Sequence, residues 1–154
     1  MKQVLFLTLL MALFVTCKKD QLCDCVPPPV DARIDILYKD QSGQSLINST
    51  PEFSDSNIII FYKKNGFFEN AYDAHMSDPE KYSIRKNEKG EIVVSITPSY
   101  YYFDGNFSET MVELNPETRD IIRCEFMLSD NGRTCKNVWF NDQKMDSTAF
   151  EIIK

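Results

Sequence analysis

The first regular pattern along the chain is an alternation of apolar and polar residues at positions 30–38, VDARIDILY. Apolar side chains at every second position are typical of a β-strand that lies with one face on a core. The same alternation occurs on both sides of the turn NEKG at residues 87–90. Because a polar turn between two alternating segments favours a hairpin, we predict one over residues 81–96.

Further short apolar segments follow, separated by turn residues. Residues 57–64, NIIIFYKK, are apolar on both faces and predict a central strand that is covered on both sides. Residues 67–80 show no clear period, and within them we predict a loop over DAHMSDPEK that ends near Pro79. The other predicted strands are SYYYF, TMVEL, DIIRCEFML, CKNVWF and AFEII, with turn signals at Asn65-Gly66, Asp104-Gly105 and Asn131-Gly132.

Eight or nine short strands with regular turn signals, and no amphipathic helix, predict an all-β domain over residues 30–154. We favour an antiparallel β-sandwich, immunoglobulin-like or of a related Greek-key topology, because strands such as residues 30–38 have one polar face. The alternative is a small β-barrel. Apolar residues make up 43% of the chain, which is sufficient for a buried core.

The N-terminus has a different character. Lys2 precedes an almost uninterrupted apolar run over residues 4–15. A helix that spans a bilayer needs about 20 such residues, whereas this length suits a secretory signal. We therefore predict that residues 1–16 form a signal peptide.

The apolar run ends in Phe14-Val15-Thr16-Cys17, which resembles the lipobox of bacterial lipoproteins. The resemblance implies that Cys17 becomes the mature N-terminus and carries lipid, including a palmitate-type acyl chain. The following CKKD is similar to lipoproteins of Bacteroidetes-type bacteria. We therefore expect a protein of the cell envelope anchored to the outer membrane, facing the periplasm or the outside. Residues 17–29 contain three prolines and predict an extended stalk.

Within the domain, NPETRDIIRCEF and VWFND resemble segments of small Bacteroidetes lipoproteins whose function is uncharacterised. That resemblance implies a β-sandwich and carries no activity with it.

Disulfides persist outside the cytoplasm, and four cysteines remain once Cys17 carries lipid. A Cys124–Cys135 bridge is one possibility, although the two are offset on adjacent strands and need a longer loop or a bulge. The alternative joins Cys23 and Cys25 to this pair. We expect no metal site, because Cys23 and Cys25 are closer in sequence than zinc ligands usually are.

No common catalytic or nucleotide-binding motif occurs, so we expect neither an enzyme nor a cofactor. The net charge of −6 argues against a nucleic-acid partner. The alternative is an envelope hydrolase that uses paired carboxylates or His75, the single histidine.

The favoured function is a binding module for a protein or a glycan. The run of four aromatic residues offers large contact area with hydroxyl groups at its tips, and we predict it as the ligand contact. In addition, Asp146-Ser147-Thr148 resembles the O-glycosylation acceptor of Bacteroidetes envelope proteins, with Ser147 as the acceptor. The predicted ligand contacts are Tyr100, Tyr101, Tyr102 and Phe103.

Overall fold

A computed structural model of the chain describes residues 32–129 and 132–154. The predicted signal peptide, the stalk, Cys17, Cys23 and Cys25 lie outside the described residues. The predictions for those positions therefore stay predictions.

Ten strands account for most of the described chain. Two short 3₁₀ helices, Pro51–Phe53 and Asp55–Asn57, lie between the first strand and the second. In chain order the strands are β1 (Ile34–Lys39), β2 (Ile59–Lys64), β3 (Phe67–Asn70), β4 (Tyr82–Lys86), β5 (Ile92–Ile96), β6 (Phe107–Asn115), β7 (Thr118–Ser129), β8 (Gly132–Phe140), β9 (Gln143–Met145) and β10 (Ala149–Ile153).

The strands form two sheets. One has six strands in the order β3-β2-β6-β7-β8-β9, and the other has four in the order β10-β1-β5-β4. All neighbours pair antiparallel except β1 and β10. The described chain passes from one sheet to the other after β1, β3, β5 and β9. Neither sheet closes on itself within the described residues, so the predicted sandwich is confirmed and the barrel alternative is wrong.

The core lies between the two sheets, as the alternation predicts. In β1, Ile34, Ile36 and Tyr38 are fully buried, while the intervening residues are partly exposed. Val112 and Leu114 of β6 face them from the six-stranded sheet. Each such side chain contributes about 1.5–3 kcal/mol through burial, which makes this inner layer the main source of stability.

The prediction that residues 57–64 form a central strand covered on both sides is wrong. Strand β2 is second from the edge of its sheet, and Ile59 and Phe61 on its outer face are only half-buried. The strand that is covered on both faces is β5, in which Val93, Val94, Ser95 and Ile96 are all buried. Residues 67–70, for which the sequence showed no clear period, form β3, because the turn at Asn65-Gly66 directs the chain back along β2.

Candidate functional site

The hairpin of β2 and β3 forms one wall of the candidate site. Its turn residues Asn65 and Gly66 have positive φ angles of 52° and 88°, as a tight two-residue hairpin turn requires. Lys64 pairs with Phe67 across this turn. The geometry therefore places the two lysines of β2, Lys63 and Lys64, directly beside the turn.

The opposite wall is the connection between β5 and β6, residues 97–106, which we call the tyrosine loop. The prediction of a strand over SYYYF is wrong. Side chains bind the backbone here in place of a ladder: the Ser99 amide donates to Thr110 Oγ1 at 2.8 Å, and the Tyr101 amide donates to Ser99 Oγ at 3.1 Å. Asp104 and Gly105 then turn the chain, so that Phe103 pairs with Phe107 in a single bridge.

Tyr62 of β2 holds the tyrosine loop against the core. It is buried, and its hydroxyl donates to the carbonyl oxygen of Thr97 at 2.8 Å. Its ring meets Tyr100 edge-on at 5.6 Å and Tyr101 at 6.4 Å, and the rings of Tyr100 and Tyr101 are 4.5 Å apart. Because aromatic pairs in these arrangements are stabilising, the loop has a defined position.

Tyr102 is held by a buried arginine. Arg133 of β8 is 6% exposed, and its Nη1 donates to the Tyr102 hydroxyl at 2.7 Å. The Tyr102 ring also packs edge-on against Phe126 at 5.6 Å. Within residues 32–129 and 132–154, no carboxylate forms an ion pair with Arg133. A buried charge is costly unless it is paired or hydrogen-bonded, and the Tyr102 hydroxyl supplies one such hydrogen bond.

Phe103 extends the aromatic surface to the outer face of the six-stranded sheet. Lys63 Nζ lies 5.3 Å from the centre of its ring, and the Arg123 guanidinium lies 5.7 Å from it. Lys63 also forms an ion pair with Glu109 at 2.6 Å. Lys64 Nζ lies 4.9 Å from the centre of the Tyr101 ring. Both lysines are thus directed by ring faces, which attract cations.

The two walls enclose a cavity of about 490 Å³, which we call the tyrosine-loop pocket. Tyr101, Tyr102 and Phe103 line one side, and residues 63–66 line the other. The volume lies within the range of about 300–1,000 Å³ that is usual for small-ligand sites. Three of the four predicted contact residues therefore meet in one pocket, while Tyr100 lies behind Tyr101.

The hydroxyl groups of Tyr62 and Tyr100 keep their protons at neutral pH, because the pKa of each is raised. Contact with the Tyr101 hydroxyl, 3.4 Å away, together with burial raises the pKa of Tyr100 to about 12. Burial raises the pKa of Tyr62 further still. These tyrosines act as neutral hydrogen-bonding groups and not as bases.

A second cavity, of about 520 Å³, lies at the other end of β2, and we call it the acidic cleft. Asp55 and Glu80 line it together with residues 58–60 and the edge strand β4. The Tyr82 hydroxyl donates to the Asp55 carbonyl oxygen at 2.9 Å. Burial, followed by the nearby charge of Glu80, raises the pKa of Tyr82 to about 12. His75 is exposed in the loop between β3 and β4 and does not line the cleft.

Cys124 and Cys135 are both buried, and both are free thiols in the structure. Cys124 pairs with Val138 and Cys135 pairs with Phe126, with a register irregularity between Glu125 and Phe126. The cysteines are therefore diagonal neighbours across a bulge. The Cys135 thiol and burial raise the pKa of Cys124, whereas the Cys124 thiol lowers the pKa of Cys135. The predicted disulfide stays a prediction.

Ser147 is exposed in the connection between β9 and β10. Its Oγ accepts a hydrogen bond from the Ala149 amide at 3.1 Å and donates to the Ala149 carbonyl oxygen. The hydroxyl is accessible, and its glycosylation stays a prediction.

Three residues at the tyrosine-loop pocket were not anticipated from the sequence: Lys63 and Lys64, which line it, and Arg133, which binds Tyr102. In the sequence, the lysine pair of β2 is typical of a solvent-exposed charge cluster. Only the Asn-Gly turn beside it indicates a hairpin that would place both lysines at one end of the strand. Nothing in the sequence marks Arg133, because its burial depends on the register of β7 and β8.

Within the described residues, no cluster of three or more His, Cys, Asp or Glu side chains is arranged to hold a metal ion. No described helix has the length and apolar character needed to span a membrane. Compared with known proteins, the chain matches no family model, no curated protein and no solved structure.

Proposed function

We propose that the protein is a lipid-anchored lipoprotein of the cell envelope whose sandwich domain binds a glycan in the tyrosine-loop pocket. The observation that carries this proposal is the convergence of Tyr101, Tyr102 and Phe103 with Lys63 and Lys64 around one cavity. Aromatic rings supply contact area for the apolar faces of sugar rings, and hydroxyl and ammonium groups supply hydrogen bonds. A glycan uses both, whereas a protein ligand usually needs a larger interface than this pocket offers.

Binding to a panel of immobilised bacterial and plant polysaccharides tests the glycan proposal. The full chain is purified in detergent and compared with Tyr101→Ala, which removes one wall of the pocket. Ile153→Ala is the control, because Ile153 is an apolar side chain that is 58% exposed on β10 and lines neither this pocket nor the acidic cleft. We expect Tyr101→Ala to lose binding at least about tenfold, the equivalent of 1.4 kcal/mol, and Ile153→Ala to retain it. If the protein binds no polysaccharide but captures an envelope protein through this pocket, the ligand is a protein.

The membrane anchor rests on the resemblance of the segment around Cys17 to a lipobox. Acyl chains contribute about 0.8 kcal/mol for each buried CH₂ group, so several chains on one residue hold a protein on the membrane stably. We expect Cys17→Ala to move the protein from the membrane fraction to the soluble fraction. Unchanged fractionation would remove the anchor from the proposal.

We further propose that Cys124 and Cys135 form a disulfide in the envelope. Oxidation removes one proton and one electron from each thiol, and a disulfide-bearing oxidoreductase of the envelope accepts the electrons and becomes a dithiol. The bulge between the two positions favours the closure that their diagonal register requires. Mass spectrometry of the unreduced protein should find the peptides of Cys124 and Cys135 joined, and separate thiol-alkylated peptides would contradict this.

The acidic cleft supports a second candidate function, an envelope hydrolase. Asp55 and Glu80 line one cavity, and paired carboxylates are the usual machinery of glycoside hydrolysis. The same polysaccharides are incubated with the protein and examined for new reducing ends. Hydrolysis that is lost in both Asp55→Asn and Glu80→Gln would favour this function, and no release of reducing ends would discard it.

A further inference from the structure

The charge around the tyrosine-loop pocket is opposite in sign to that of the protein. The chain has a net charge of −6, yet the residues that line this pocket include two lysines and no carboxylate. A pocket with a local excess of one sign attracts ligands of the other sign. The lining therefore favours an anionic group.

The two lysines are not equivalent. Lys63 already has a carboxylate partner in Glu109, which compensates its charge. No carboxylate of the described chain forms an ion pair with Lys64, and its ammonium lies over the Tyr101 ring. Lys64 is thus the pocket cation that remains available to a ligand.

The buried arginine behind the pocket adds a second donor. The Tyr102 oxygen accepts a hydrogen bond from Arg133 Nη1, so the hydroxyl hydrogen is left to donate elsewhere. Arg133 Nε has no hydrogen-bond partner in the described structure, and the side chain is almost fully buried. The positive charge behind Tyr102 polarises its hydroxyl and strengthens a hydrogen bond to an anion.

Carboxylates on the far side of Tyr101 limit where an anion can bind. Glu69 and Asp73 line a smaller cavity of about 160 Å³ that shares Lys64 and Tyr101 with the pocket. They repel an anion from that side. The favourable position is therefore between Lys64 and the Tyr102 hydroxyl, within the tyrosine-loop pocket.

We propose that the ligand of the tyrosine-loop pocket is a glycan that carries carboxylates, such as a uronic-acid polymer, with its charged group bound by Lys64 and Tyr102 and its ring on Tyr101 and Phe103. This inference rests on the proposed glycan-binding function and specifies its ligand class. A carboxylated sugar satisfies the ammonium and hydroxyl donors and the aromatic wall together, whereas a neutral sugar leaves the cation without a partner.

The test compares binding of the full chain in detergent to polygalacturonate and alginate with binding to their methyl-esterified forms. Esterification keeps the sugar backbone and removes the charge. We expect the acidic forms to bind at least about tenfold more tightly, since one charge-assisted hydrogen bond contributes about that factor, and we expect binding to weaken as salt is added.

Two variants assign the effect to the pocket. Lys64→Gln should weaken binding to the acidic polymers about tenfold and weaken binding to the esters by a smaller factor. Lys89→Gln makes the same charge change in the exposed β4–β5 turn and should have no effect. Circular dichroism and thermal unfolding confirm that both variants are folded.

Each other outcome overturns the inference in a distinguishable way. Equal binding to acidic and esterified polymers overturns the carboxylate assignment and leaves the glycan-binding function in place. Binding to polyglutamate but to none of these polysaccharides makes the ligand an acidic protein. Equal weakening in Lys64→Gln and Lys89→Gln shows that the attraction comes from general charge and not from this pocket. If none of these polymers binds, the inference is overturned, and the wider panel decides the proposed function separately.

Discussion

The two cavities lie at opposite ends of the same strand, and they differ in charge. Residues 58–60, at the beginning of β2, line the acidic cleft with Asp55 and Glu80. Lys63 and Lys64, at its end, line the tyrosine-loop pocket. The net charge of −6 therefore does not describe the tyrosine-loop pocket, because the sign of a local field depends on which side chains the fold brings together.

The cavities also differ in how their tyrosines are held. In the tyrosine-loop pocket, Tyr102 accepts from a buried guanidinium, and Tyr101 packs on other rings. In the acidic cleft, the Tyr82 hydroxyl is held by a backbone carbonyl of a 3₁₀ helix. The tyrosines of the tyrosine-loop pocket are thus held by contacts with side chains of the core, whereas Tyr82 in the acidic cleft is held by a short surface turn. Substitutions should therefore disturb the first site more than the second.

The largest expected effect follows from replacing the ring that joins the tyrosine loop to the core. Tyr62→Ala removes a buried aromatic side chain, and we expect it to lower the free energy of unfolding by about 3–5 kcal/mol. Tyr62→Phe keeps the ring and loses only the bond to Thr97, at about 1 kcal/mol. Urea denaturation measures both, and equal losses would show that the ring contacts contribute little.

The next effect in size concerns the buried arginine. Tyr102→Phe leaves Arg133 Nη1 without its acceptor in a buried position, and we expect a loss of about 1–3 kcal/mol in the free energy of unfolding. Tyr101→Phe removes a hydroxyl whose contact with Tyr100 is 3.4 Å long, and its loss should be within about 0.5 kcal/mol. Similar losses in the two variants would mean that Arg133 finds another partner when Tyr102 is changed.

Most of the fold follows from local patterns in the sequence. The 81–96 hairpin is predictable because alternating residues flank a polar turn, and β4 and β5 fall within it. Strand β2 shows where the reasoning fails: its sequence is apolar on both faces, yet Ile59 and Phe61 on the outer face are only half-buried. Strand β5 is buried on both faces, and it lies between β1 and β4 in the four-stranded sheet. The sequence of one segment does not show its position in a sheet.

The candidate site was predicted in part. The aromatic run of the tyrosine loop is conspicuous in the sequence, and three of its residues do line a pocket. The strand predicted for this run was wrong, because the side chains of Ser99 and Thr110 accept hydrogen bonds from the backbone that a β-ladder would otherwise make. These hydrogen bonds form only because β6, which carries Thr110, lies beside the loop. Lys64 and Arg133 reach the site through the turn of one hairpin and the register of another. The spacing of residues in the sequence does not show which strands pair, so it could not predict the positions of these two side chains.

The smallest expected effect separates the two cavities by titration. Tyr82 in the acidic cleft and Tyr100 in the tyrosine loop both have a pKa raised to about 12, from different causes. Because unfolded tyrosines ionise near pH 10, the stability from both is complete below pH 10 and is lost as pH rises through about 12. Chemical unfolding should therefore become easier in that window.

Glu80→Gln should lower the pKa of Tyr82 only partly, because burial is the larger cause, and it should leave Tyr100 unchanged. Tyr101→Phe should lower the pKa of Tyr100 more strongly, because contact with the Tyr101 hydroxyl is the first cause, and it should leave Tyr82 unchanged. NMR titration of ¹³C-labelled tyrosine rings follows each residue separately. If either variant shifts both tyrosines equally, the two ends of β2 are electrostatically coupled and the cavities do not act as separate sites.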